Sequence, residues 1–136
     1  MKGAHDIDDL MKGTRMASIN AKSFDTPDET RTPEKTKVEV VDLGGPKAAR
    51  MTAQPGWRWS ECIKPVVGGN SCQSHHLGVV VAGRLHVAHD DAAEAEVGAG
   101  EAYNIQPGHD AWVVGDEPFI AYEFDTTAAD TYARPS

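Results

Sequence analysis

Residues 77–88 read LGVVVAGRLHVA, and this stretch decides the class of fold. Val79, Val80 and Val81 are all β-branched, which favours an extended strand that is covered on both faces. Gly83 permits a tight turn, and a second apolar run follows it at residues 85–88. The stretch therefore predicts two strands joined by a hairpin at Gly83.

The same pattern continues on both sides of this stretch. Short apolar runs are separated by Gly, Pro, Asn and Asp, and no stretch after Val38 sustains the apolar period of about 3.6 residues that marks a helix. The predicted strands are residues 38–43, 48–53, 57–67, 77–82, 85–88, 95–97, 102–105, 111–114 and 119–124. Many short strands with turn signals roughly every 8–12 residues predict an all-β sandwich or barrel.

The first 36 residues differ from the rest of the chain. Residues 23–37 read SFDTPDETRTPEKTK, a Pro-, Thr- and charge-rich segment with almost nothing to bury. Within residues 1–20, Ile7, Leu10 and Met11 suit at most one short helical turn. We therefore expect residues 1–36 to form a disordered or loosely docked arm, and residues 37–136 to form the barrel domain.

Composition and charge exclude several classes of protein. The chain has 136 residues and a formal net charge of −8, and the excess of acidic residues lies after residue 37. Such a domain repels phosphate backbones and anionic membrane surfaces, so neither a nucleic acid nor a membrane is an expected partner. The chain has no apolar run of membrane-spanning length and no signal peptide, and its two cysteines are too few for a disulfide scaffold. We expect a cytoplasmic protein.

Two segments carry a resemblance to a known family. Residues 80–87 read VVAGRLHV, which has the form that ends the first cupin motif, and residues 100–108 read GEAYNIQPG, which fits the frame of the second motif. The sequence thus resembles the small cupins of the conserved-barrel type over residues 51–124. The resemblance implies a jelly-roll barrel, commonly dimeric, in which two His and a Glu from the first motif and a His from the second hold a divalent metal.

The residues at the family's ligand positions are changed. His76 stands where the resemblance places the Glu, and Ala111 stands where it places the second-motif His. The paired His positions fall on Asn70 and Cys72, or on Gly69 and Ser71, depending on the length of the loop.

Other side chains can replace the missing ligands. His109 lies two residues before Ala111, so the two share a strand face. His75 and His76 are adjacent and point to opposite faces of a regular strand, unless a bulge turns both inward. We expect His76 and His109 to be metal ligands, with His75 secondary, while Cys72 is either an additional thiolate ligand or an ordinary thiol. Imidazole ligands suit Zn, Fe, Ni or Cu rather than Mg or Ca.

The aromatic residues indicate where an organic ligand would bind. In a strand over residues 57–67, Trp57 and Trp59 share one face and Arg58 and Ser60 share the other. Either the two Trp side chains belong to the core, or Arg58 and Ser60 line the cavity, where Arg58 could bind a carboxylate. Two further aromatic residues flank the second motif and would line the mouth of the barrel or an oligomer face: Tyr103 and Trp112.

These observations leave three functions open. The first is a barrel that binds a small organic molecule beside an atypical His-based transition-metal site. The second is a metal-dependent cupin enzyme of the oxygenase, isomerase or cyclase type, acting on a small substrate. The third is a metal-free barrel with a structural or interaction role. For each, the resemblance implies a homodimer.

Overall fold

The computed structural model describes residues 18–135, and in this range β-strands predominate. The strands are β1 (Glu29–Arg31), β2 (Thr36–Asp42), β3 (Lys47–Ala53), β4 (His76–Ala82), β5 (Arg84–His89), β6 (Glu94–Gly98), β7 (Ala102–Ile105), β8 (His109–Val114) and β9 (Phe119–Glu123). Three short helices accompany them, α1 (Trp59–Cys62), α2 (Lys64–Val67) and α3 (Thr126–Thr131). No helix in this range is long and apolar enough to cross a membrane. The helical turn predicted within residues 1–20 falls almost wholly outside the described residues.

The strands form two antiparallel sheets, which confirms the predicted all-β, jelly-roll class. One sheet has six strands in the order β1-β2-β3-β9-β4-β7, and the other has three in the order β6-β5-β8. The predicted hairpin at Gly83 is wrong, because β4 and β5 belong to different sheets. Gly83 instead forms the corner between them with φ of 78°. A Cβ there would lie 2.4 Å from the backbone oxygen of Pro118.

The core lies between the sheets, where the alternation of side chains directs one face of each strand inward. It is largely aliphatic and aromatic, and its members include Val38, Val40, Met51, Val80, Leu85, Val87, Val113, Phe119 and Tyr132. The buried ionisable residues on these inward faces include His76 on β4, His109 on β8 and Glu123 on β9. The same alternation that builds the core thus brings polar groups into it.

The segment predicted as a strand over residues 57–67 is mostly helical. It makes one isolated β-bridge, from Arg58 to Trp112, and then forms the single-turn helices α1 and α2. Trp59, Cys62 and Ile63 are all buried, with the three- and four-residue spacing of a helical turn. Trp57 is buried as well, so both Trp side chains belong to the core, which is the first of the two alternatives.

The folded domain begins before the predicted boundary at residue 37. Strand β1 pairs with β2 through Glu29↔Val40, Thr30↔Glu39 and Arg31↔Val38. Arg31 is buried and donates hydrogen bonds to the backbone oxygens of Ala129, Asp130 and Tyr132. The second part of the predicted arm is therefore part of the sheet and holds the C-terminal segment in place.

Candidate metal centre

Three side chains of the types that ligate metals converge in the core. One ligand atom each from Cys72, His76 and His109 lie within 4.8 Å of one another, and all three residues are buried. The Sγ of Cys72 lies 3.6 Å from Nε2 of His76. The imidazole rings of His76 and His109 are 5.2 Å apart, edge to face. No other group of three such residues within the described range meets the same spacing.

The three residues come from different parts of the fold. His76 is the first residue of β4 in the six-stranded sheet, and His109 is the first residue of β8 in the three-stranded sheet. Cys72 reaches the centre because its backbone pairs with β8: its N–H donates to the His109 oxygen at 2.7 Å, and its own oxygen accepts from Gly108 N at 2.6 Å. The centre therefore joins the two sheets at one end of the barrel.

Hydrogen bonds orient both imidazoles. His76 donates from Nδ1 to Oε1 of Glu123 at 2.7 Å, and Oε2 of the same carboxylate accepts from the Tyr103 hydroxyl at 2.6 Å. His109 donates from Nδ1 to the backbone oxygen of Gln106 at 2.8 Å. A neutral imidazole at each of these positions carries its proton on Nδ1 and presents Nε2 as the lone-pair nitrogen to a metal. An imidazole tied through its second nitrogen to a carboxylate or a carbonyl is the usual arrangement of a metal-bound His.

The charges within the centre favour the ligating form of the thiol. Burial disfavours a thiolate at Cys72, but hydrogen bonds from His109 and His76 outweigh it and lower the pKa of the thiol. Burial likewise disfavours a cation at His76, but the Glu123 carboxylate and Cys72 outweigh it and raise the pKa of the imidazole. Without a metal, the pair is therefore a thiolate facing an imidazolium, and a metal would replace the proton on His76.

A small apolar cavity adjoins the centre inside the barrel. Its volume is about 50 Å³, which is room for a few waters or a ligand of few heavy atoms. The walls are mostly apolar and include Met51, Ala53, Trp57, Trp59, Leu85, Ile105, Ala111 and Phe119. His76, His109, Tyr103 and Glu123 are the polar residues near the centre that line it. Ala111, at the position where the resemblance places a His, contributes a methyl group and leaves space.

A second, larger cavity lies on the other side of Cys72. It has a volume of about 520 Å³ and is bounded by residues 67–74 and by the C-terminal residues 131–135. Trp59 and Tyr132 line both cavities and so stand between them. The Tyr132 ring packs edge-on against His76 with centroids 5.0 Å apart. The C-terminal segment thus covers the centre on the side of the larger cavity.

Of the predicted metal ligands, His76 and His109 lie in the centre and His75 does not. His75 places Nδ1 2.7 Å from Oδ2 of Asp125 and Nε2 2.5 Å from Oδ1 of Asn104. Both partners accept hydrogen bonds from the ring, and the hydrogen bond to Asp125 is the main cause of the raised pKa of His75. The cause is the strand alternation: β4 turns His76 inward and leaves its neighbour at the surface.

Of the predicted ligand-binding residues, only Tyr103 lines the barrel cavity. Arg58 stacks on the Trp112 ring, with Cζ 4.1 Å from the centroid, and its Nη1 lies 3.5 Å from Oδ2 of Asp110. The backbone N–H of Ser60 donates a hydrogen bond to Oδ1 of Asp110 at 3.1 Å. Arg58 and Ser60 therefore contact Asp110 and do not line the cavity, because the helical turn at Trp59 ends the strand alternation on which their placement depended. Trp112 lies outside the cavity as well, because β8 turns its neighbours Ala111 and Val113 inward.

Two residues of the site were missing from the sequence prediction. Glu123 carried a detectable signal, since it follows Phe119 and Ala121 on the inward face of a predicted strand, where an acid is rarely buried without a partner. Tyr132 carried none, because it lies beyond the last predicted strand. Cys72, left open between ligand and ordinary thiol, lies within the centre.

Comparison with known proteins gives the fold but no function. No protein family model matches the chain, and no curated protein matches its sequence significantly. A cupin 2 conserved barrel domain protein from Salinispora arenicola superposes with a TM-score of 0.52 at 17% identity, over 82% of this chain and 95% of that one. A DUF1255 protein of unknown function from Acidithiobacillus ferrooxidans superposes with a TM-score of 0.54 at 15% identity, over 82% and 100%.

A larger enzyme contains a similar barrel. The oxalate decarboxylase OxdC of Bacillus subtilis superposes with a TM-score of 0.55 at 14% identity, over 85% of this chain. The chain spans only 32% of the length of that enzyme. At these identities the three likenesses concern architecture alone.

Proposed function

We propose that this small cupin-type domain binds a divalent transition metal through Cys72, His76 and His109 and holds a small organic molecule in the adjoining cavity. The observation that carries the proposal is the convergence of three buried ligand atoms within 4.8 Å. A random cluster of surface residues would not share this burial, nor would both of its imidazoles be tied through Nδ1.

The donor set fits such a metal. One thiolate and two imidazole nitrogens suit Zn, Fe, Co, Ni or Cu, whereas Mg and Ca prefer oxygen ligands. Three protein ligands leave a coordination position for water or substrate, as in catalytic zinc sites. When bound there, the metal would act as a Lewis acid toward an oxygen of the ligand.

Residues of the chain would orient the metal ligands and shape the cavity for the small organic molecule. Glu123 holds the His76 ring with its Nε2 toward Cys72, and the Gln106 carbonyl holds the His109 ring. The apolar walls of the cavity exclude bulk water and favour a ligand with an apolar body. Tyr132 covers the centre, and the larger cavity beyond it offers a route of entry.

A metal-dependent enzyme acting on a small substrate is the second candidate. The observation in its favour is that the three side chains leave coordination positions open next to a cavity. Turnover of a bound molecule would distinguish the enzyme from a binding protein. Homodimerisation stays a prediction, which sizing chromatography would test.

Elemental analysis of the protein purified without a His tag tests the proposal. We expect stoichiometric zinc, iron, cobalt, nickel or copper in the wild type, and its loss in the variants Cys72→Ser and His76→Ala/His109→Ala. Cys62→Ser and His75→Ala are matched controls that should keep the metal, since Cys62 is buried outside the centre and His75 faces Asp125. Metal-free wild type that takes up no metal on dialysis against zinc would refute the proposal and favour the metal-free barrel.

A further inference from the structure

The indole N–H of Trp59 is buried and has no hydrogen-bond acceptor among the described residues. Trp59 is 2% exposed, and its Nε1 has no hydrogen-bond partner among residues 18–135. Buried donors are nearly always paired in native proteins. The neighbouring Trp57 shows the ordinary case, because its Nε1 donates to Oγ1 of Thr36 at 2.9 Å.

Trp59 belongs to the wall of the cavity beside the metal centre. It lines the inner cavity together with His76 and His109, and it also lines the larger cavity together with Cys72. The inner cavity of about 50 Å³ is small. Trp59, His76 and His109 therefore border the same small space.

The charge of the centre limits what that ligand can be. A metal-bound Cys72 is a thiolate, and Glu123 accepts hydrogen bonds on both carboxylate oxygens, as an anion does. These two negative charges balance a divalent metal, so the loaded centre is neutral. An anionic ligand would then add an unbalanced charge to a mostly apolar cavity, which is costly.

From these observations we infer that the cavity binds an uncharged small molecule with a carbonyl-type oxygen, which accepts a hydrogen bond from Nε1 of Trp59. The inference rests on the proposed function, because the metal sets the charge balance. The apolar walls hold the short body of the ligand. Trp59 is thereby a binding residue for the carbonyl oxygen, while the charge balance of the loaded centre discriminates against carboxylates.

Propionamide and propionate test this distinction, because they share a shape and differ in charge. Each is titrated into the wild-type protein loaded with Co²⁺, and binding is followed by the cobalt absorption spectrum and by the indole N–H resonances. We expect propionamide to bind at least about tenfold more tightly than propionate. Propionamide should also shift the Trp59 indole resonance downfield and leave that of Trp57 in place, since Trp57 already has its acceptor.

Trp59→Phe removes the N–H and keeps an aromatic ring, with Trp112→Phe as the matched control, because Trp112 stacks on Arg58 and does not line the cavity. We expect Trp59→Phe to weaken propionamide binding about threefold to tenfold, the usual size of one hydrogen bond, and the control to leave it unchanged. Equal affinity for the two ligands, or an unmoved Trp59 resonance in the wild type, would overturn the inference even if Trp59→Phe failed to fold. If Co²⁺ does not bind, the proposed function fails and the inference fails with it; if Co²⁺ binds normally, only the inference is at stake.

Discussion

Arg31 provides a sharp test of how the N-terminal strand and the C-terminal segment are held together. Its guanidinium donates to the backbone oxygens of Ala129 and Tyr132 at 2.6 Å and of Asp130 at 3.1 Å, while its Nε lies 2.8 Å from Oε2 of Glu29. The side chain is only 6% exposed. Arg31→Ala therefore removes a buried charged donor and leaves three carbonyls without it.

The expected loss follows from these contacts. Hydrogen bonds to charged groups contribute about 1.5–3 kcal/mol each, and shared contacts do not add fully. We expect Arg31→Ala to lower the free energy of unfolding by about 2–4 kcal/mol, measured by urea denaturation with the change in Cm at constant m. Arg134→Ala is the matched control, because Arg134 also pairs with Glu29 but is half-exposed, and its loss should not exceed about 1 kcal/mol. Equal losses in the two variants would refute the assignment of Arg31 as the anchor of the C-terminal segment.

Two further predictions concern protons. The pKa of Cys72 is lowered to about 6 and the pKa of His76 is raised to about 10. Between these two pH values the metal-free pair therefore holds one proton. Zinc binding near pH 8 should release about one proton, because zinc binds the thiolate and the neutral imidazole. Calorimetry in buffers of different ionisation enthalpy measures this number, and release of none or of two would contradict it. His75, whose pKa Asp125 raises above 6.5, stabilises the fold fully below that unfolded value and loses this contribution as the pH rises through its folded pKa. The stability difference between wild type and His75→Gln should therefore shrink from acidic to alkaline pH, and a difference that grows with pH would be inconsistent.

The features of the fold and of the candidate site that the sequence predicts are those that depend on local periodicity. The alternation of side chains along a strand correctly predicted that His76 and His109 point inward and that His75 does not. It failed over residues 57–67, where a strand was predicted, since an alternating pair such as Trp57 and Trp59 at the start of a helical turn looks the same as the start of a strand. Strand β1, Glu29–Arg31, was too short and too charged to stand out from a solvated segment.

Long-range contacts could not be predicted in the same way. Glu123 orients His76 across 47 residues of sequence, and Arg31 donates a hydrogen bond to the backbone oxygen of Tyr132, which lies 101 residues further along the chain. Cys72 is held in place by a backbone bridge to His109. The residues around Cys72 show no sequence pattern that predicts this bridge. These contacts depend on which strands are neighbours in the six-stranded sheet, and on where the C-terminal segment and the loop before β4 pack, which a single sequence leaves open.

X-ray absorption at the metal edge of the zinc-loaded protein tests the central claim most directly. We expect scattering from one sulfur at about 2.3 Å and from two imidazole nitrogens at about 2.0 Å, with the sulfur signal absent in Cys72→Ser and retained in Cys62→Ser. A coordination shell of oxygen and nitrogen alone in the wild type would contradict it, because the zinc would then lie outside the buried centre.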